Sequence, residues 1–536
     1  MTPVTDDTHT DDTQLQLSNR LFPVRKAVIV TVPGQASSRS RLTPATAILV
    51  LVFLGLALRA VPMIQNRCLW IDEAMLALNL VHRTPLQLLE PLDWNQGAPA
   101  GFLLLTKAAI TLFGESEWAL RLVGFVGSIL GMLGFTWLSR RLLPEWGAGL
   151  TVALFAISPT LITYSAECKQ YATDAALTVG LFAISLRLLQ RESGFHLWAR
   201  LALAGACAVW IAHPSVFVLG GIGTALFIDA LSMKDRRRAL ACAATIACWL
   251  LSFGLCYLIN LRHLGHNQYL LDYWAGHFMA MPPRSLEHLA WLASHFTGFL
   301  DYPGGLGGGD LVKAGGLAAA FFFIGLMGFV RERWTIAAAI VLPACLALVA
   351  SGLHKYPFAG RLLLFLVPLL LLTVGRGMTM VLAVLWPRLP VGAYALLAVL
   401  LLSPLVETYQ NMKKPLRYEQ LTLVLADLRH ELHPGDRVYL YYGGVPAFEF
   451  YNRRDPFPVE VVKGNEYREN RTGYRDELRK LAGEPRVWLV FSHRHKAEES
   501  LLRAYAESLG EFRQEIRHPG ATAFLYDFSS SKPGGL

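Results

Sequence analysis

Long apolar runs separated by short polar breaks recur from residue 43 to about 408, with polar sequence on either side. A membrane-crossing helix needs about 20 consecutive apolar residues. Candidate spans of that kind lie near 43–64, 118–139, 147–164, 170–189, 199–213, 215–231, 239–260, 312–330, 334–352, 361–382 and 390–407. The pair 199–213 and 215–231 is short and broken by His213-Pro214. Ala100–Phe113 is shorter still and ends in Gly114-Glu115-Ser116-Glu117, so it is expected as an interfacial or re-entrant helix. About eleven spans result.

Charge orients them. Short basic clusters stand at Arg140–Arg141, at Arg187–Arg191 with Arg200, at Lys234–Arg238, at Arg331–Arg333, and at Arg376 with Arg388. Cytoplasmic loops collect Lys and Arg, and placing all these clusters inside lets the spans alternate consistently. The N-terminus then lies inside, and segments 65–117, 165–171, 261–311 and 353–360 lie outside with everything after 408. Residues 1–42 are rich in Thr, Asp and Ser without an apolar core, and read as a disordered cytoplasmic tail rather than a signal peptide.

Residues 409–536 change character. There the hydrophobic pattern alternates helical stretches (418–432, 474–482, 498–509) with β-rich runs at 437–442, 459–462, 486–491 and 521–528. A small extracytoplasmic α/β domain with a mainly parallel sheet is expected. Gly443-Gly444 after its first strand is too little for a phosphate loop. The fold class is therefore a polytopic α-helical membrane protein, residues 43–408, carrying this domain.

Composition agrees: 53% of residues are hydrophobic and 17% charged, too apolar for an ordinary soluble enzyme. The net charge of +9 resides mainly in the basic loops, since residues 409–536 hold 20 Lys/Arg against 18 Asp/Glu. That distribution suits membrane orientation and not nucleic-acid binding. Seven cysteines, all between Cys68 and Cys345, show no zinc-type spacing.

Three outer segments carry candidate chemistry. Trp70-Ile71-Asp72-Glu73 sets two carboxylates beside a span, where charge is costly and implies function, although Asp and Glu also begin ordinary helices. In Tyr164-Ser165-Ala166-Glu167-Cys168-Lys169-Gln170-Tyr171-Ala172-Thr173-Asp174, helical spacing puts Glu167, Tyr171 and Asp174 on one face and Lys169 elsewhere, free to meet an anion. His354-Lys355-Tyr356-Pro357-Phe358-Ala359-Gly360-Arg361 offers Lys355 and Arg361 on the outer side, where the positive-inside rule does not ask for them. A lipid phosphate held at membrane level needs cations so placed. Plainer roles for the last two are belt or headgroup anchors. His213, a lone histidine before proline, fits packing better than substrate contact.

With these segments in order, residues 43–408 resemble the GT-C glycosyltransferases of the family 39/83 type, which includes protein O-mannosyltransferases and lipid A aminoarabinose transferases. The carriers are Trp70-Ile71-Asp72-Glu73, Gly97-Ala98-Pro99-Ala100-Gly101-Phe102, Leu112-Phe113-Gly114-Glu115-Ser116-Glu117 with Arg121, Glu167-Cys168-Lys169-Gln170-Tyr171 and Tyr356-Pro357-Phe358-Ala359-Gly360-Arg361. The resemblance implies transfer of a sugar from a polyprenyl-phosphate donor to an extracytoplasmic lipid, glycan or protein, with inversion, in the plasma membrane of a bacterium. Asp72 would be the general base, Glu73 its support, and Lys169, Lys355 and Arg361 the phosphate-binding cations. Glu167, Tyr171, Asp174, Tyr356 and His213 would support the substrates. The family often has Arg where Lys169 stands, so the two-pronged contact is lost there. A divalent cation is left open, with Asp72 or Glu167 as its ligand. Cys68 and Cys168 share the outer face, and a disulfide between them suits an oxidising compartment. The competing readings are a transporter or flippase of lipid-linked precursors, which calls for charges at mid-span and inverted repeats, and a non-catalytic assembly protein.

Overall fold

The computed structural model describes residues 43–265, 267–307, 314–414 and 419–530, so the predicted tail, 1–42, lies outside the described residues. Pro44 onward is one compact unit.

Every predicted span has a helix. Among the described residues eight are long and apolar enough to cross a membrane, or nine if the bent pair Glu145–Ala156 and Pro159–Ala166 counts as one. The expected eleven differ for two reasons. Phe195–Ile211 is a helix of only 17 residues. Gly315–Gly352 runs as one 38-residue helix where two spans are expected, but its backbone leaves helical geometry at Arg333 (φ −163°, ψ 97°). A straight helix of that length would measure about 57 Å, nearly twice the hydrocarbon core. Both of its ends are tied to the segment that precedes it: Ala314 N–H donates to Gly307 O (3.0 Å), and Ser351 Oγ accepts from Met279 N–H (3.0 Å). The chain therefore folds back at Arg333 as two antiparallel arms.

The basic clusters gather at the other end of the bundle. Arg191 pairs with Asp229 (2.8 Å), Arg238 donates to Glu192 O (3.2 Å), and Thr335 Oγ1 donates to Leu189 O (2.9 Å). Ala100–Phe113 is a separate 14-residue helix, as its length predicts.

The C-terminal sheet has the order β2-β1-β3-β5-β4, from β1 (Arg437–Leu440), β2 (Val461–Lys463), β3 (Val487–Ser492), β4 (Glu511–His518) and β5 (Ala521–Asp527). β1 runs parallel to β2 and β3, with Val438 opposite Val461 and Trp488, while β5 is antiparallel to both β3 and β4. The sheet is thus mixed, not mainly parallel. The unforeseen strand β4 is an edge whose charged side chains hide the alternation. Alternate residues face two cores. Tyr439, Leu489 and Phe524 pack with Tyr474, Leu478 and Leu502 of the helices on one side. Val438, Trp488 and Leu525 face the other, in a core shared with Leu69, Ala74, Ala77 and Phe102. That shared core joins the sheet domain to helix Ile71–His82 through helix Val445–Asn452.

Candidate active site

Helix Ile71–His82 begins at the site, and its first turn carries Asp72 and Glu73. The two carboxylates have opposite surroundings. Glu73 is fully buried and saturated. Arg121 grips it with two bonds (Nε–Oε1 2.9 Å, Nη2–Oε2 2.9 Å), the Cys168 N–H donates to Oε1 (2.7 Å), and Arg67 approaches Oε2 (3.4 Å). Burial raises the Glu73 carboxyl pKa, but the charges of Arg121 and Arg67 outweigh it and leave the pKa lowered. A carboxylate so occupied holds its neighbours in place and has no free lone pair directed at a substrate.

Asp72 keeps 16% of its side chain exposed. Lys169 Nζ lies 3.3 Å from Oδ1, Arg361 Nη2 2.7 Å from Oδ2, and Gln96 Nε2 donates to Oδ1 (3.3 Å). Here too burial raises the pKa, and Lys169 followed by Arg361 more than reverses it, well below the usual carboxylate range. Gln96 Oε1 accepts from Lys169 Nζ at 2.6 Å, closing a ring of Asp72, Lys169 and Gln96. The Arg361 guanidinium lies over both the Trp70 ring (5.5 Å) and the Tyr171 ring (5.6 Å). It follows Gly360, whose positive φ (49°) turns the chain into the short helix Gly360–Leu366.

The Lys169 segment is held by an arginine inside the first span. Arg59 is fully buried, and its guanidinium donates to Gly55 O (2.9 Å), Phe155 O (3.0 Å) and Ala156 O (3.3 Å). Those last two carbonyls end helix Glu145–Ala156, so Arg59 satisfies groups that the break at Ile157-Ser158 would orphan. From there the chain turns through Pro159–Thr163 and Tyr164–Ala166 to Lys169. Gly127 lets it pass closely: a Cβ there would stand 3.2 Å from Thr173 Cα.

Several sequence expectations change. Glu167, Tyr171 and Asp174 do not share a helix face, because the helix begins only at Tyr171 and Glu167 is extended before it. Glu167 instead pairs with Arg67 (3.3 Å), which links it to Glu73. Asp174 is buried one turn beyond Tyr171, and its Oδ1 has no hydrogen-bond partner among the described residues. Tyr356 turns its hydroxyl to Leu362 O (2.6 Å) and its ring to Phe217. Lys355 is exposed and makes no ion pair among the described residues. His213 faces Asn260 Oδ1 (3.4 Å) and not Asp72. Asn260 does line a small cavity of about 40 Å³ with Gln96, Gly97, His263 and Asn267. Both Cys68 and Cys168 are free thiols. Cys68 bonds to Thr422 Oγ1 (2.8 Å), while burial pushes the Cys168 thiol up to about 12.

The donor set does not fit a divalent cation. Asp72 already faces two cationic side chains and Glu167 faces Arg67, and no three His, Cys, Asp or Glu side chains converge among the described residues. Residues that sequence reasoning passed over are Arg67, Gln96 and Tyr451, whose hydroxyl accepts from Leu69 N–H (2.9 Å). Only Arg67 had a signal, as a charge between a span and the carboxylates.

A family profile for dolichyl-phosphate-mannose-protein mannosyltransferases matches residues 97–267. Comparison with curated protein sequences gives no significant match. Among solved structures, ArnT from Cupriavidus metallidurans bound to undecaprenyl phosphate is similar at 15% identity and a TM-score of 0.53, covering 91% of this chain and 99% of that one. The apo form of ArnT gives 14% identity and a TM-score of 0.50 over 92% and 100% of the two chains. The oligosaccharyltransferase of Archaeoglobus fulgidus gives 12% and 0.52 over 92% and 75%. Identities this low show the fold alone: this chain has the fold of these membrane transferases, and over residues 97–267 its sequence is similar to the mannosyltransferase family profile.

Proposed function

We propose that the protein transfers a sugar from a polyprenyl-phosphate carrier to an acceptor outside the cytoplasm, with Asp72 as the general base. The observation that carries this reading is a partly exposed carboxylate held between Lys169 (3.3 Å) and Arg361 (2.7 Å). A base for the acceptor and cations for the leaving phosphate are needed within one donor's width of each other, and these residues supply both. ArnT, which shares the fold, has been seen with undecaprenyl phosphate bound.

The donor phosphate competes with Asp72 for Lys169 and Arg361. At rest the carboxylate is ionised but a weak base, because two cations share its charge. A phosphate drawing those cations away leaves Asp72 less neutralised and more basic when the donor is in place. The acceptor oxygen or nitrogen then attacks the anomeric carbon as its proton passes to Asp72. The bond from that carbon to the phosphate oxygen breaks, and its electron pair leaves with the polyprenyl phosphate, whose charge Lys169 and Arg361 hold. A single displacement of this kind inverts the anomeric centre. Glu73, locked by Arg121, fixes the helix start from which Asp72 projects.

On this reading the site lies at the outer membrane boundary of a bacterial plasma membrane, and the basic end of the bundle lies in the cytoplasm. The transporter reading asks for functional charge at mid-span, yet Arg59 is consumed as a helix cap. The test is turnover of a purified polyprenyl-phosphate sugar by protein reconstituted in liposomes. Loss of transfer in Asp72→Asn, with expression and insertion intact, is expected; full transfer by that variant would overturn the assignment of the base. Labelling of an engineered cysteine in 419–530 by a reagent confined to the cytoplasm would overturn the orientation.

A further inference from the structure

Gln96, the amide that joins Asp72 to Lys169, is aimed by a strained turn. Trp94 and Asn95 before it both have positive φ (61° and 53°), a region that a bulky residue other than glycine rarely enters. Two bonds hold the turn there. Gln96 Nε2 donates to Trp94 O (3.3 Å), and Asn267 Nδ2, just beyond the span Arg236–Leu264, donates to Asn95 Oδ1 (3.0 Å). A backbone kept in such a state by its surroundings points to a functional constraint.

The two segments joined by that bond are the walls of one cavity: Gln96-Gly97-Ala98 on one side, and Asn260, His263 and Asn267 on the other. It has about 370 Å³ of atom-free space counted out to its mouth, and about 40 Å³ of it can take the centre of a water molecule. Ligand-holding clefts begin at about 300 Å³. Where the span meets the cavity it widens into a π turn, Tyr257–Leu261, which carries Asn260; such turns are frequent at functional sites. Asn260 is only 9% exposed. His213 Nε2 lies 3.4 Å from its Oδ1, and its Nδ2 has no partner among the described residues. The Gly97 and Ala98 N–H groups likewise donate to no described acceptor. Gln96 Oε1, which accepts from Lys169, keeps a second lone pair. Unspent donors and an acceptor thus border one small space. No described lysine or arginine lines it, and its one carboxylate, Glu90, is exposed.

We propose that this cavity is the subsite for the sugar ring of the donor, an uncharged pyranose read through its hydroxyls by Asn260 and Gln96. This rests on the transferase reading given above. On that reading the phosphate lies against Lys169 and Arg361, and the ring bonded to it must lie beside both that phosphate and Asp72. Gln96 touches both sides, with Nε2 3.3 Å from Asp72 Oδ1 and Oε1 2.6 Å from Lys169 Nζ. A ring whose hydroxyls bond Gln96 and Asn260 therefore keeps its anomeric carbon near the base and the cations. Hydroxyls both donate and accept, as this lining asks, whereas a phosphate or an acidic sugar would need cations that it lacks. The space suits one ring, and a glycan or protein acceptor is longer than that.

The test sets two probes against the full chain in nanodiscs: undecaprenyl phosphate, and the pool of polyprenyl-phosphate sugars extracted from native membranes. Native mass spectrometry reads which carrier stays bound and the mass of its sugar. The wild type should prefer a carrier bearing an uncharged pyranose. Asn260→Leu should weaken that carrier about 10–100-fold through a buried hydroxyl left unpaired, while undecaprenyl phosphate binds as before. A merely structural asparagine would weaken both. Asn260→Asp keeps the size but offers no donor, should show the same selective loss, and serves if the leucine variant does not fold. Equal loss of both carriers, loss of neither, or no preference in the wild type overturns the proposal. A preference for an acidic or amino sugar does so too. Unchanged carrier binding with a raised KM for the acceptors of native membranes would give the cavity to the acceptor instead. Selective loss in the Asn260 variants while Asp72→Asn retains transfer would remove the base and leave the subsite standing; the reverse pair of results would remove the subsite alone.

Discussion

Replacing Asp72 by Asn keeps the shape of the side chain and removes one negative charge from between two cations. At an effective dielectric constant of about 20, the attractions to Lys169 at 3.3 Å and Arg361 at 2.7 Å are worth roughly 5 and 6 kcal/mol before desolvation is counted. Most of that is offset by the cost of holding partly buried charges, so the net competition lost to an incoming phosphate is about 1–2 kcal/mol. The variant should therefore bind polyprenyl phosphate about 5–30-fold more tightly. Its turnover should fall by about 10²–10⁴, the usual worth of a positioned base, or about 3–5 kcal/mol in the barrier. Tighter carrier binding with slower chemistry is an opposed pair of effects that a merely structural aspartate would not give. Titration of undecaprenyl phosphate into nanodisc-held protein measures the first, and single-turnover transfer the second. Weaker carrier binding by Asp72→Asn would refute the competition, and turnover within tenfold of wild type would refute the base.

Glu73→Gln leaves Arg121 and Arg67 buried without their full countercharge and should destabilise the protein by about 3–5 kcal/mol in a thermal unfolding series. Because the Glu73 and Asp72 pKa values are lowered in the folded protein, their stabilising effect is complete above the unfolded value of about 4 and disappears as pH falls through the folded values. Stability should thus show no loss from these groups between about pH 5 and pH 8, and acid melting should set in only below that range. Arg361→Lys keeps the charge but loses the flat cation over Trp70 and Tyr171, and kcat/KM should fall about 10–100-fold. Arg59→Met strips partners from the Phe155 and Ala156 carbonyls at about 1–3 kcal/mol each, seen as a lower Tm. Alkylated protein should run identically on gels with and without reductant, since Cys68 and Cys168 are separate thiols.

The long apolar helices, the separate short helix Ala100–Phe113 and the gathering of Arg191 and Arg238 at one end were legible because span length and loop charge are local properties. The grouping of Asp72, Lys169 and Arg361 was legible through resemblance alone, since no spacing rule joins residues that far apart. What stayed hidden depended on partners. Gln96 stands in a polar stretch with nothing to distinguish it. Glu73 is expected as a support for Asp72, but that Arg121, inside an apolar run, clamps it shows only in the fold. Lys355 and Arg361 looked equivalent, yet the turn at Gly360 sends one to solvent and the other to Asp72. β4 is hidden because Phe512 and Ile516 are its only apolar residues, set among charged and polar ones.

The core shared by helix Ile71–His82 and the sheet domain has a consequence in time. Leu69, Ala74 and Ala77 find their apolar partners in Leu421, Val424 and Phe448, which a ribosome reaches more than three hundred residues later. Until then the aspartate's helix is only half covered. A nascent or truncated chain can insert its spans while this helix still lacks its backing, so on the proposed reading competence to act on the carrier arrives only once the sheet domain has emerged.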